Sequence, residues 1–321
     1  SSNRVNFLAF WLEKNSKLPD IHYRRPEIKV SLNRVGIVGI KMPIGFLSFE
    51  EKPVILVPTF DAFVDLPMNI KGIHASRNYE VIMEVLGSQM GKRYRLEEVC
   101  ARMAKELLAR HEYATKAEVR AKGELIVDKL TLATGSKSYE TFDIFAQAKV
   151  FRENGVVRKG IGVGVTGITA CPCAQEVLKD ISIKDLAQDL PLEEVKKILD
   201  NVPFGTHMQR AYGFIYTEVP EGLNVDARDL INIVELSMSS STYGLLKRID
   251  EANLVKVALS NPRFAEDVVR YMILNFFKKY KDFPDDTQVY FSVRSYESIH
   301  KHDFVAEVDT TLGNIRKELG S

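Results

Sequence analysis

Cysteine is scarce in this chain, with three among 321 residues. That count excludes a disulfide-stapled scaffold and points to a reducing compartment. Neither charge is in surplus: 44 Lys and Arg face 43 Asp and Glu, for a formal charge of +1. A dominant nucleic-acid footprint needs a clear basic excess and is therefore not expected, although a small basic pocket for a phosphate is. No run approaches the roughly 18 apolar residues of a membrane span. The opening SSNRVNFLAFWLEKN has no signal-cleavage pattern. No low-complexity segment is present, and GVGVTG (162–167) leads into ITACPC, not into the clean helix start of a phosphate-binding loop. Glycines in such a strand more often permit a bulge or a close approach. The expectation is a cytoplasmic protein of one large or two medium domains, with neither nucleic acid nor membrane as partner.

What is present alternates between two periods. IKVSLNRVGIVGI (28–40) and VILVPTFDAFVDLP (54–67) read as strands, the second with a proline irregularity. Helices follow at 78–91 and 95–113. In the latter Leu96, Val99, Cys100, Met103, Leu107 and Leu108 recur at helical spacing, so Cys100 reads as a small core residue. His111 ends that helix as a surface or C-terminal charge partner. From 115 the period falls to two: 115–132, 139–155 and 157–170 read as three long antiparallel strands. Residues 174–203 read as helical in two pieces, 204–222 as strand, and 226–248 as helix with a serine-rich interruption. The segment 261–280 is a strong helix, with Asn261 to cap it, Pro262 in its first turn and Phe264, Val268, Val269, Met272, Ile273 and Phe276 as its buried stripe. Residues 287–312 close as two strands around a polar corner. The order predicts an α+β duplication, with modules at 1–160 (with an N-terminal arm) and 161–321.

Two of the three cysteines stand in VTGITACPCAQE (165–176), as Cys171 and Cys173 astride Pro172. The spacing is too short for a C-x-x-C knuckle. Other stretches carry groups that can meet a thiolate: His207 in GTHMQR, Lys247, Arg248 and Glu251 in LLKRIDEANL, and Glu297, His300 and His302 in YESIHKHD. His300 and His302 share a face if that segment is extended. One thiolate with imidazoles and an oxygen donor suits zinc or ferrous iron, and an open position makes such a site catalytic. Arg77, Arg210, Lys247 and Arg248 are candidates for holding a phosphate. Glu266, in the first turns of the 261–280 helix, either serves the helix dipole or accepts an N–H pair from a guanine-like edge.

In order along the chain, VPTFDAFVDLP with GIHASR, VTGITACPCAQE, GTHMQR, LLKRIDE, NPRFAEDVVR and YESIHKHD resemble the GTP cyclohydrolase IB family. The resemblance runs from about residue 19 to 310 and extends to the archaeal enzymes of methanopterin biosynthesis. It implies the tunnelling fold (T-fold), two αβ modules per subunit, in a homotetramer built as a dimer of dimers with interface active sites. It implies GTP as substrate and ferrous iron as cofactor, with zinc or manganese as other occupants. Cys171, His207, Glu251 and His300 match the family's metal positions. Glu266 matches its guanine anchor, and Cys173 its second, non-ligand cysteine. Glu297, His302 and Cys173 are then candidates to protonate the leaving ring nitrogen, with Cys171 counted among the catalytic groups.

The implied reaction opens the imidazole ring of GTP at C8, releases formate and builds a 7,8-dihydroneopterin 2',3'-cyclic phosphate. The bacterial product, dihydroneopterin triphosphate, is the alternative. The stretch before His207 and the serine-rich SSSTYG depart from the bacterial pattern and favour the archaeal branch. Two rivals stand beside this reading: a same-fold reductase with a cysteine nucleophile, and a non-catalytic protein stabilised by a closed zinc site.

Overall fold

The computed structural model describes residues 20–46, 54–88 and 95–320; most of the expected N-terminal arm lies outside them. The first half runs β1 (Leu32–Lys41), a small hairpin of β2 (Ile44–Phe46) and β3 (Val54–Leu56), then β4 (Thr59–Leu66). Two helices follow, α1 (Ala75–Gly87) and α2 (Leu96–Arg110), and then β5 (Lys116–Leu130) and β6 (Lys137–Phe151). The second half runs β7 (Val157–Ala170), α3 (Pro172–Leu186), α4 (Leu192–Asp200) and β8 (Met208–Glu218). It continues through α5 (Ala227–Ser237), β9 (Ser240–Ser241), α6 (Arg248–Ser260) and α7 (Ala265–Tyr280) to β10 (Gln288–Ser295), β11 (Phe304–Thr311) and α8 (Leu312–Glu318).

One antiparallel sheet joins both halves in the order β1-β4-β5-β6-β7-β8-β10-β11, with β9 pairing onto β7. Each half therefore places helices after its second sheet strand, α1 and α2 in the first and α5 to α7 in the second, and returns to the sheet beside that strand. This repeat of two strands, helices, two strands is the T-fold. It changes over at the 152–156 turn, so a cut between 160 and 161 falls inside β7. No described helix is long and apolar enough to cross a membrane.

The helices cover one face of the sheet. α2 packs on β5 and β6, α5 on β7, and α7 on β10 and β11. Leu96, Met103 and Leu107 of α2, and Val268, Met272 and Phe276 of α7, are fully buried by this contact. Each such side chain contributes about 1.5–3 kcal/mol relative to exposure. The opposite face carries Phe145, Tyr212, Phe214 and Tyr216, and the glycines of β7 explain how it packs. A Cβ at Gly160 or Gly164 would overlap the Tyr216 or Tyr212 hydroxyl. The β6–β7–β8 ladder continues in regular register past them. Of the two glycine roles expected, close approach is the one realised.

The sequence predicts no helix over 249–260, yet α6 forms there; its apolar residues make no stripe, since Ile249, Val255 and Val257 all face solvent. The serine interruption after α5 is a real break, since Ser240 and Ser241 leave the helix to pair with Ile168 and Gly167.

His111 is also not at the surface. It is fully buried, its Nε2 2.8 Å from Asn78 Oδ1 and its Nδ1 2.9 Å from the Tyr113 hydroxyl. Burial, then the charges of Arg77 and His74, lower its pKa from 6.5 to about 4. The unfolded chain thus binds a proton that the folded chain refuses. The resulting stability is present above pH 6.5 and is lost as pH falls toward 4. Between pH 7 and pH 5 the wild type should lose about 2 kcal/mol more than His111→Gln in urea unfolding. Equal losses in the two proteins would show that His111 is not held neutral.

Candidate active site

The C-P-C stretch proves to be a helix start. Cys171 is the N-cap of α3, Pro172 opens its first turn, and the Cys171 sulfur accepts from the Ala174 amide at 3.4 Å. A sulfur there lies at the positive end of the helix dipole. The thiol is also tied to the sheet. The Cys171 amide donates to the His207 carbonyl (3.1 Å), and the Thr206 hydroxyl donates to the Cys171 carbonyl (2.8 Å). These bonds extend the β7–β8 ladder one step beyond its last pair, Ala170 with Met208. The thiol and the imidazole, 36 positions apart in sequence, are thereby neighbours.

A cavity of about 250 Å³ opens at this end of the sheet. Cys171, His207, Glu266, Glu297, His300 and His302 all line it, so six of the sequence-derived candidates converge. His300 and His302 meet differently from expectation. The segment bends instead of extending, and the two rings stack at 5.1 Å, 7° from parallel. Glu266 stands in the first turn of α7, between the exposed Phe264 and the body of the helix.

The remaining candidates lie elsewhere. Cys173 is exposed in the first turn of α3 and is not among the lining residues. Arg210 follows Gln209 in β8, so strand alternation turns it to the other face, where it is exposed. Lys247, Arg248 and Glu251 are exposed at the start of α6. That helix start is anchored to the β5–β6 turn, because Asp250 accepts from the Thr134 amide (3.0 Å) and hydroxyl (2.7 Å). Arg77 donates to the Arg110 carbonyl at 3.0 Å and reaches the Tyr23 hydroxyl at 3.5 Å, in the first half of the chain.

Several lining residues were not singled out in the sequence. Arg263 donates to the carbonyls of Leu236 (3.0 Å) and Ser237 (2.8 Å), and its guanidinium lies 3.8 Å from the centre of the Tyr271 ring. Burial lowers its pKa. Its amide donates to the Ala170 carbonyl at 3.0 Å, which fixes the approach to α7 beside Cys171. Phe264, expected in the buried stripe of its helix, is instead about two-fifths exposed, as is Phe304, and the two give the cavity aromatic walls. Thr169, Gln209 and Ser295 form its polar floor. None of these carries a sequence signal, because each matters only through residues on neighbouring strands.

A second group of donors lies in the first half. Single donor atoms of Asp20, His22 and His74 come within 4.8 Å of one another, a set able to coordinate a metal ion. Asp20 and His22 are exposed and His74 is half-buried. His22 Nδ1 and His74 Nε2 each stand 3.2 Å from an Asp20 oxygen. Of the three, only His74 falls in a motif of the resemblance, GIHASR, and no local pattern marks Asp20 or His22.

Comparison with known proteins gives a consistent picture. A family model described as type I GTP cyclohydrolase folE2 matches residues 18–306. GTP cyclohydrolase MptA of Methanosphaera stadtmanae is 43% identical over 307 residues, covering 94% of this chain and 98% of that protein. GTP cyclohydrolase MptA of Methanocaldococcus jannaschii is 40% identical over 304 residues, covering 94% and 97%. Among solved structures, a uricase from Bacillus fastidious superposes with a TM-score of 0.51 at 10% identity, over 92% of this chain and 98% of that one. At that identity the likeness is one of fold.

Proposed function

Because the chain belongs to the archaeal, MptA-type GTP cyclohydrolase family of methanopterin biosynthesis, we propose that the Cys171 cavity binds GTP, opens its imidazole ring at C8 and releases formate. The product in this reading is 7,8-dihydroneopterin 2',3'-cyclic phosphate. One observation carries it. A thiol, three imidazoles and two carboxylates from separate segments line a single cavity large enough for a nucleobase.

The donor chemistry of Cys171, His207 and His300 fits a divalent ion of borderline softness, ferrous iron first, with zinc or manganese as substitutes. When bound, the ion supplies Lewis acidity toward water. The chain's own side chains supply the rest. Glu266 accepts the N1–H and the amino group of guanine, and Phe264 and Phe304 give the base apolar surface to lie against. Glu297 and His302 deliver the proton that the leaving ring nitrogen needs. A second hydrolysis frees formate, and the new amine condenses with the ribose-derived carbonyl. Attack of a ribose-derived hydroxyl on the α-phosphorus, with pyrophosphate leaving, then closes the cyclic ester.

A second reading places the ion on Asp20, His22 and His74, whose donor atoms converge more closely. The proposed homotetramer, a dimer of dimers, is supported by the sheet itself. Its outer strands β1 and β11 each leave one ladder unpaired among the described strands, and no described helix packs over the face bearing Phe145 and Phe214.

The test is direct. Anaerobically purified protein loaded with ferrous iron is incubated with GTP, and formate and product mass are measured. One formate per GTP and the mass of the cyclic monophosphate are expected. A triphosphate mass would replace the product assignment, and no formate with any of the three metals would sink the cyclohydrolase reading.

A further inference from the structure

Beneath the cavity the side-chain amide of Gln209 uses all of its hydrogen-bonding capacity. Its Nε2 donates to the Thr169 hydroxyl at 3.0 Å and to the Ser295 hydroxyl at 3.3 Å. Its Oε1 stands 3.0 Å from His207 Nδ1 and accepts from the Ser298 hydroxyl at 3.4 Å. Two donors and two acceptor positions are all that a primary amide offers. The arrangement is rigid because the sheet builds it. Thr169 is paired in register with Gln209 across β7 and β8, and Ser295 with Ala211 across β8 and β10. Thr169 is 1% and Ser295 2% exposed, so their hydroxyls depend on protein partners, and they bond each other at 3.2 Å. His207 and Gln209, two apart on one extended segment, present their side chains on the same side.

From this network we infer that Gln209 is a positioning residue that sets the tautomer of His207. An amide oxygen can only accept, so the proton of neutral His207 resides on Nδ1. The Nε2 lone pair is then free for the cavity, in the form that a metal-binding imidazole needs. The inference rests on the reading of the cavity as the metal site, which it deepens. Gln209 itself need not touch the ion. Its effect passes through ring orientation and proton placement.

Two variants and one spectrum test this. Gln209→Glu keeps an acceptor opposite Nδ1 while losing the donors to Thr169 and Ser295. Gln209→Leu loses both. In competition with a chelating dye for Zn²⁺, Gln209→Leu should bind about 10–100-fold more weakly than wild type, and Gln209→Glu should stay within a few-fold of it. Nitrogen NMR of the metal-free wild type, with His207 assigned by its loss in His207→Asn, should show the proton on Nδ1. A proton on Nε2, Gln209→Leu binding like wild type, or Gln209→Glu as weak as Gln209→Leu would each overturn the proposal. If Cys171→Ala binds Zn²⁺ like wild type, the cavity is not the metal site. The spectrum of the metal-free protein still decides the tautomer on its own.

Discussion

Cys171→Ala is expected to lose its metal and at least about a thousandfold in turnover, on the order of 4 kcal/mol in the barrier. The size of the effect follows from where the sulfur sits. It caps α3, receives an amide hydrogen bond from that helix, and is held beside His207 by backbone bonds that continue the sheet. A methyl group there leaves the backbone free to keep its bonds, so the loss should be chemical, without unfolding. Metal analysis, a formate assay and circular dichroism on the same preparation separate these outcomes. His74→Asn is the companion variant. If it loses the metal while Cys171→Ala keeps both metal and turnover, the ion belongs to Asp20, His22 and His74 and the cavity assignment fails.

Glu266→Ala is expected to raise the GTP concentration for half-maximal rate about a hundredfold, as two charge-assisted hydrogen bonds to a base edge together require. The carboxylate stands in the first turn of α7, where the dipole favours its charge, and it lines the cavity between aromatic walls. A nucleotide lacking the 2-amino group offers only one of the two bonds. Wild type should therefore discriminate against inosine triphosphate, and Glu266→Ala should not. An unchanged half-saturation, or discrimination that survives the substitution, would leave Glu266 as a dipole partner only.

Much of this was legible in the chain because it depends on local order. Strand alternation over 115–170 and the apolar stripe of α7 are properties of consecutive residues; the strands form where they are expected, while α7 begins at Ala265 with Phe264 as its N-cap, because Asn261 instead ends α6. The gathering of Cys171, His207, Glu266, Glu297, His300 and His302 is suggested by donor type and ordered by resemblance, since no local rule brings four segments to one cavity. Glu251 and Arg77 stand in matching motifs but outside the cavity of the single chain, Glu251 at the exposed start of α6 and Arg77 on the Arg110 carbonyl. Gln209 stands within GTHMQR, where no local pattern assigns it a role. Its role depends on strand register, which brings Thr169 and Ser295 to the same amide.

The stretch between Cys171 and His207 carries two helices, yet its ends are joined by a backbone hydrogen bond at the last rung of a regular ladder. Beyond the first turn of α3, whose Ala174 amide the Cys171 sulfur uses, what hangs from that rung does not set the spacing of the two donors. The length of this appendage is therefore free to change without moving the thiol and the imidazole apart.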